Sequence, residues 1–174
     1  MSSPTTAPFD LGRFTGVCAA SGRTLVPGDR TVAVVVEDPE TGALKRRDYG
    51  ETEWDAGTRP THLFCFWRRV VPESGAKPTP FIDDEELVAL FEGLAEAEGE
   101  RQRGLRFILA LLLVRKRLYR HVGTDDRRGE RVMLLRRRGA GRDEPSIEVA
   151  DPGLDAGTVA AATEQLGLAL RGEE

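Results

Sequence analysis

The sequence predicts an α+β protein, with a small antiparallel β-hairpin lobe followed by an α-α-β-β-α lobe. In the first half of the chain, Arg30–Glu37 is rich in β-branched residues and alternates enough to be a strand. After a stretch rich in proline and glycine, the apolar residues recur at helical spacing instead. We therefore expect a flexible tail at 1–14, a β-rich N-terminal lobe at 15–71, a linker at 72–80 and an α+β lobe at 81–174.

Three strands are expected in the N-terminal lobe: Arg30–Glu37, Ala43–Tyr49 and a short strand around Leu63–Val71. In the first strand, Val32, Val34 and Val36 share one face, as in a strand with one buried side. The segment between the first two strands, DPETG, has the composition of a hairpin loop. These signals predict a small antiparallel sheet.

The second lobe shows helical periodicity and strand signals. Asp83 and Glu86 have the spacing of a capping box at the start of a helix. We expect, in order, a helix bearing Leu87, Leu90, Phe91 and Leu94, a longer helix at about Gly104–Val122, a polar loop at Gly123–Gly129, strands at Arg131–Arg138 and Ser146–Ala150, and a helix at Thr158–Arg171.

Charge is distributed in blocks, although the formal net charge is only −4. Residues 101–142 carry fourteen basic and three acidic side chains, an excess of eleven. Residues 81–100 carry eight acidic and no basic side chains, and residues 143–174 carry eight acidic and one basic. Two interpretations follow: the blocks neutralise one another within the fold, or the basic block faces a polyanion.

The centre of the basic block is a run of apolar residues, Phe107–Val114, followed by cations. The run is too short to cross a membrane, and its uniform apolar character favours a helix buried within the protein. Cations at a helix C-terminus are also stabilised by the helix dipole, which is a purely structural explanation for them. The candidate residues for contact with a polyanion or partner are Arg115, Lys116, Arg117, Arg120, Arg136, Arg137 and Arg138.

Signals for catalysis or metal binding are scarce. The chain has two histidines and no nucleophile elbow, metalloprotease motif or phosphate-binding loop, so we expect no enzymatic activity and no cofactor. His62 and Cys65 have ligand-like spacing, and Cys18 is a possible third ligand, but a closed zinc site needs four. The favoured interpretation is therefore two half-buried cysteines that pack as small apolar side chains.

A resemblance is carried by VCAASGRTLVPGDRTVAVVVED, then RRDY, Trp54 and WRRVVP, and later by Ile108–Leu118. These residues resemble a group of small uncharacterised bacterial proteins. The group shares a Cys-x-x-(Ser/Thr)-Gly-Arg-x-Leu-x-Pro-Gly opening and a core helix of the L-A-L-L-L-x-R-K-R kind. The likeness covers about residues 15 to 170 and implies no function. The opening is also similar to a degenerate zinc ribbon without its second ligand pair, so any ancestral metal is expected to be lost.

The function we expect from the sequence is that of a non-enzymatic interaction or adaptor module with another protein as partner. Trp54 and Trp67 are the candidate interface anchors, because Trp and Arg are common at such positions. The alternative is an accessory protein that contacts nucleic acid or a ribonucleoprotein through the basic region at 115–138. The N-terminus lacks a secretory signal, so a cytoplasmic location is expected and no membrane partner.

Overall fold

The computed structural model describes Phe9, residues 11–73 and residues 83–171, except the side chains of residues 165 and 167–171. The described residues form two three-stranded antiparallel sheets and four helices, so the predicted α+β class is confirmed. In chain order the elements are β1 (Arg30–Glu37), β2 (Leu44–Gly50), α1 (Glu51–Asp55), β3 (Leu63–Val70), α2 (Asp84–Gly93), α3 (Glu100–Arg115), β4 (Tyr119–Arg127), β5 (Glu130–Arg137), β6 (Ile147–Ala150) and α4 (Ala156–Arg171).

The chain divides into two compact units. We call Met1–Gly93 with Leu168–Glu174 the N-terminal unit, and Leu94–Gly167 the C-terminal unit. The sequence places the boundary at 72–80 instead, of which only Pro72 and Glu73 lie within the described residues. The boundary follows α2 because this helix packs against β3.

The sheet of the N-terminal unit has the order β2-β1-β3 and matches the predicted strands. Its apolar face carries Val32, Val34 and Val36, which pack against Tyr49 and Trp54. Strand β1 is completely buried from Val32 to Val35, since it is the central strand and is covered on both faces. The short helix α1, which the sequence did not predict, supplies Trp54 to this core.

The opposite face of the same sheet contains buried charges. Arg46 on β2 donates to Asp48 Oδ1 from Nε and Nη2, at 3.2 and 2.9 Å. The other carboxylate oxygen, Oδ2, accepts from the backbone N–H and the hydroxyl of Thr15, at 2.8 and 2.9 Å. The side chains of Arg46 and Asp48 are 2% and 0% exposed. Every acceptor of the Asp48 carboxylate is thus used, as a buried charge requires.

Helix α2 is joined to this unit by Glu86. Its carboxylate accepts from Trp67 Nε1 at 3.2 Å and lies 3.0 Å from Arg69 Nε. The capping box predicted at the helix start is confirmed, because Glu86 N–H donates to Asp83 Oδ1 at 2.8 Å and Asp83 N–H donates to Glu86 Oε2 at 3.0 Å. One carboxylate therefore caps the helix and fixes it to β3.

The residues before the sheet are partly ordered into this unit. Phe9 and Leu11 are only 7% and 6% exposed, which corrects the prediction of a loose tail at these positions. Their burial follows from their apolar side chains, which are stabilised by removal from water. Cys18 starts a tight turn in which Gly22 N–H donates to its carbonyl oxygen at 2.8 Å.

The C-terminal unit packs α3 against a sheet of order β4-β5-β6. Buried side chains of α3 include Leu105, Ile108, Leu109, Leu112 and Leu113, so the apolar run is a core helix as predicted. The predicted extent of this helix, 104–122, is wrong at its C-terminal end. Residues 119–127 form β4 instead, which also replaces most of the predicted loop at 123–129.

The end of α3 explains that difference. Leu118 N–H donates to the Leu113 carbonyl at 2.9 Å and Arg117 N–H donates to the Val114 carbonyl at 3.0 Å. This pair of bonds is a Schellman motif, which needs a left-handed residue and usually has glycine there. Arg117 occupies that position with a φ of 62°. The chain then turns away from the helix axis and enters β4.

Candidate polyanion-binding groove

A shallow groove at one end of the C-terminal unit collects part of the predicted basic patch. It is lined by cations from three places in the sequence, together with small or apolar residues. Its lining residues are Val114, Arg117, Tyr119, Arg120, His121, Arg138, Gly139 and Ala140, and we call it the basic groove.

The fold brings these arginines together through the helix end and the β4–β5 ladder. Arg117 follows α3, and Arg120 is the second residue of β4. Arg138 follows β5, and its backbone N–H donates to the Leu118 carbonyl at 2.9 Å. That bond extends the strand ladder beyond Tyr119, so the end of β5 lies beside the segment that connects α3 to β4.

The groove has an uncompensated positive charge. Its three arginines are exposed, and none of them forms an ion pair with any described residue. No acidic side chain is among the lining residues. His121, also exposed, contacts Thr124 Oγ1 through Nε2 at 3.2 Å. Guanidinium groups that converge without carboxylates are suited to phosphate oxygens, which they bind with two parallel hydrogen bonds.

The other predicted patch residues lie outside the lining of the groove. Arg115 ends α3 and Lys116 follows as its C-cap, both exposed. On β5, Arg136 is half-buried opposite Arg120, and Arg137 is exposed. These residues surround the groove with further positive charge.

A second part of the basic block is neutralised within the C-terminal unit. Arg103 lies 3.2 Å from Glu130, and Arg127 lies 3.0 Å from both Asp125 and Glu148. Neutralisation within the fold therefore applies to these arginines, and the polyanion interpretation stays a prediction for the exposed ones. The exposed charge is concentrated at the groove end.

The predicted interface anchors lie in the core of the N-terminal unit. Trp54 is 2% exposed and Trp67 is 1% exposed. Tyr49 and Tyr119 are buried as well, so all Trp and Tyr side chains of the chain are inside the fold. None of them presents a surface to a partner, and the exposed ring among the lining residues of the groove is the imidazole of His121.

The alternative zinc ligands do not converge. Cys18 is bridged to Asp48 on β2, whereas Cys65 is on β3, with β1 between these strands. Their backbones are thus about three strand spacings apart, roughly 14 Å. Among the described residues there is no group of three or more His, Cys, Asp or Glu side chains able to hold a metal ion.

The two thiols have different surroundings. Burial raises the pKa of Cys65 to about 12. Burial also raises the pKa of Cys18, but hydrogen bonds from the Ser21 side chain and from the amides of Gly50, Ser21 and Ala20 outweigh it and lower this pKa. Gly50 N–H, for example, lies 3.3 Å from Cys18 Sγ.

Comparisons with protein families, with curated proteins and with solved structures find no match to the chain. The resemblance to a bacterial protein group stays a prediction. In the described part of the chain, no helix has the length and apolar character needed to cross a membrane.

Proposed function

We propose that the protein is a non-enzymatic accessory protein that binds nucleic acid through the phosphates at its basic groove. The observation that carries this proposal is the convergence of Arg117, Arg120 and Arg138 at one surface without a neighbouring carboxylate. Phosphate contacts account for half or more of the hydrogen bonds in protein–DNA complexes, and they need arginines along a surface.

The backbone at Arg117 supports the proposal independently. A left-handed conformation costs an L-residue about 1–2 kcal/mol relative to the right-handed one, and glycine avoids that cost. The arginine at this helix end therefore lowers stability, and its side chain has no ion pair among the described residues to offset the loss. Strain of this kind is concentrated at functional positions.

The character of the groove indicates what kind of contact it makes. Apart from the exposed imidazole of His121, its one ring is Tyr119, which is only 2% exposed, so the groove offers bases no exposed Trp, Tyr or Phe face on which to stack. Single-strand binding proteins combine basic grooves with such faces. We therefore expect contacts to the phosphate backbone, with little dependence on base sequence.

The protein-adaptor function expected from the sequence is less well supported. Its anchors were Trp54 and Trp67, and both are buried. It remains a prediction that needs a different contact surface.

The test is a salt titration of binding to labelled RNA and duplex DNA by fluorescence anisotropy. Three phosphate contacts should lower the affinity roughly 40-fold between about 50 and 200 mM salt, and further cations around the groove would steepen this dependence. The groove variant, R117E with R120E and R138E, should lose measurable binding while its stability changes by less than about 0.5 kcal/mol per substitution.

A matched control separates the site from the overall charge. The control variant, K45E with R47E and R131E, changes the formal net charge by the same amount at exposed positions outside the groove lining. It should keep most of the affinity. Equal losses in both variants, or no binding by the wild-type protein at low salt, would contradict the proposal.

A further inference from the structure

The outer edge of β4 is a second surface of the C-terminal unit. Strand β4 lies at one end of the sheet order β4-β5-β6, and no described strand pairs with its other side. With nine residues it is the longest described strand, although short edge strands are one way in which natural sheets avoid unwanted pairing. From His121 to Arg127 its residues are exposed except for half-buried Gly123, so the edge is open to a further strand.

The backbone of β4 faces this edge at identifiable positions. The Leu118 carbonyl accepts a hydrogen bond at 2.9 Å from the residue that follows β5, so Leu118 faces β5. Because adjacent residues of a strand face opposite sides, His121, three positions later, faces the free edge. Near the hairpin turn, Asp126 N–H donates to Asp125 Oδ1 at 2.9 Å and so points away from β5. By the same alternation, Thr124 also faces the free edge.

A bulge in β4 puts two opposite charges on one face of the sheet. Arg120 lies opposite Arg136 of β5, and Asp125 lies opposite Val132. These β5 residues are four positions apart, so Arg120 and Asp125 project to the same face although they are five positions apart in sequence. The register shift in the middle of β4 supplies the extra residue that makes this possible.

We propose that β4 pairs with β4 of a second copy of the chain, antiparallel and about a two-fold axis at the bulge. When Arg120 is placed opposite Asp125 of the second copy, His121 comes opposite Thr124 of that copy. These last two are the residues whose backbone groups face the edge, so the charges and the backbone hydrogen bonds favour the same register. The two-fold axis repeats both contacts, because each copy contributes the same strand.

The side chains of this register are available for the contact. Arg120 is exposed and has no ion pair among the described residues. Asp125 is exposed as well, with Oδ2 at 3.0 Å from Arg127 and Oδ1 on the Asp126 amide. In the paired strands, a carbonyl of the second copy takes over that amide, and Oδ1 is free to accept from Arg120. Charges of one sign would repel a second copy, whereas this edge is complementary to itself.

The pairing also affects the basic groove, and this consequence rests on the proposed nucleic-acid function. Arg120 is a lining residue of the groove, and in the dimer a carboxylate lies beside it. One of the three groove arginines is then neutralised. Self-association and nucleic-acid binding are therefore expected to compete.

The test is charge reversal, followed by sedimentation velocity without nucleic acid. About 100 μM protein suits an interface of one strand per copy, which is small, and low salt limits the screening of exposed ion pairs. We expect the wild-type protein to form dimers, and R120E and D125R each to weaken them at least about tenfold, because like charges then face one another. R47E, which reverses an exposed charge in the N-terminal unit, is the matched control and should leave the dimer unchanged.

Rescue makes the outcome decisive. The double variant, R120E with D125R, exchanges the two charges and should recover most of the wild-type affinity. A mixture of the R120E and D125R proteins should form heterodimers for the same reason. Damage to the fold or a change in net charge predicts neither result.

A wild-type protein that stays monomeric at low salt would overturn the inference, and so would the absence of rescue. Both results would leave the nucleic-acid proposal standing, because no nucleic acid is present in these measurements. Duplex DNA added to the wild-type dimer should convert it into complexes of DNA with single chains. DNA bound to an intact dimer would overturn the competition.

Discussion

The arginines buried in the N-terminal unit lie against carboxylates, whereas those of the basic groove lie against solvent. Arg46 is 2% exposed and its charge is paired with Asp48 at 2.9 Å. Its guanidinium carbon is also 5.1 Å from the centre of the Trp67 ring. Arg117 is exposed, has no ion pair among the described residues, and has a left-handed backbone.

This difference separates two roles that composition alone cannot separate. A buried charge must be paired, because desolvation of an isolated charge costs several kcal/mol, so Arg46 is explained by the fold. The fold does not explain Arg117 in this way. Its exposed charge contributes little to stability, and its left-handed backbone lowers stability. Variants that change either stability or nucleic-acid binding, but not both, can therefore test this difference between buried and exposed arginines.

The largest effect is expected at the buried pair. D48N removes the charge that compensates Arg46 and places an amide N–H₂ group among hydrogen-bond donors, including the Thr15 amide and hydroxyl. We expect a loss of about 3–5 kcal/mol in the free energy of unfolding, measured by urea denaturation. D55N is the matched control, because Asp55 pairs with Arg68 while 54% exposed. D55N should lower the free energy of unfolding by about 1 kcal/mol or less. Equal losses in D48N and D55N would contradict the claim that a buried ion pair matters more to stability than an exposed one.

The pH dependence of stability should distinguish two carboxylates of the N-terminal unit. Burial raises the pKa of Glu86 above its usual 4.5, although the Asp83 amide and Arg69 act in the opposite direction. The folded protein then holds this proton more tightly than the unfolded chain. Glu86 ionisation therefore opposes folding at neutral pH, and this penalty disappears as the pH falls through the raised pKa. The stability of the wild type relative to E86Q should rise as the pH is lowered from about 7 to 4.

Glu53 should show the opposite sign. A hydrogen bond from Arg23, at 2.8 Å from Nε, is the main cause that lowers the pKa of Glu53 to about 2. Its contribution to stability is present above the usual pKa of 4.5 and is lost as the pH falls toward 2. The stability advantage of the wild type over E53Q, followed by urea denaturation at several pH values, should therefore shrink on acidification. If the stability of the wild type changed in the same direction with pH relative to E86Q and relative to E53Q, the opposite pKa shifts of Glu86 and Glu53 would be contradicted.

Much of the N-terminal unit was predictable because its signals are local. The β-branched run of β1 favours a strand directly, and the Asp83–Glu86 capping box depends on residues three apart. Strand β4 was not predictable in this way. Its residues from His121 to Arg127 are mostly polar, and they form a strand because β5 pairs with them, which is a non-local interaction.

The groove was predictable in composition but not in geometry. Charge clustering predicts Arg117, Arg120 and Arg138 as candidates, but the sequence pattern predicts a helix at Arg120, which lies on β4. The left-handed backbone of Arg117 and the lining role of His121 had no signal, because both arise where the helix ends and the strands pair.

The smallest change in stability, and the sharpest test of the comparison, is expected from R117G. Glycine removes the left-handed cost of about 1–2 kcal/mol, but the more flexible unfolded chain offsets about 0.5–1 kcal/mol of that gain. We therefore expect the free energy of unfolding to rise by about 0.5–1 kcal/mol. Nucleic-acid affinity should fall, and the slope of log K against log salt should decrease in magnitude by about one.

The matched control is H62G, because His62 also has a positive φ, 57°, and lies in the N-terminal unit. It should give a similar gain in stability without any change in affinity or salt slope. A loss of stability in R117G would mean that the Arg117 side chain serves the fold. If R117G gained stability while its affinity for nucleic acid stayed unchanged, Arg117 would not contact phosphate. The groove would then have two proposed contacts instead of three.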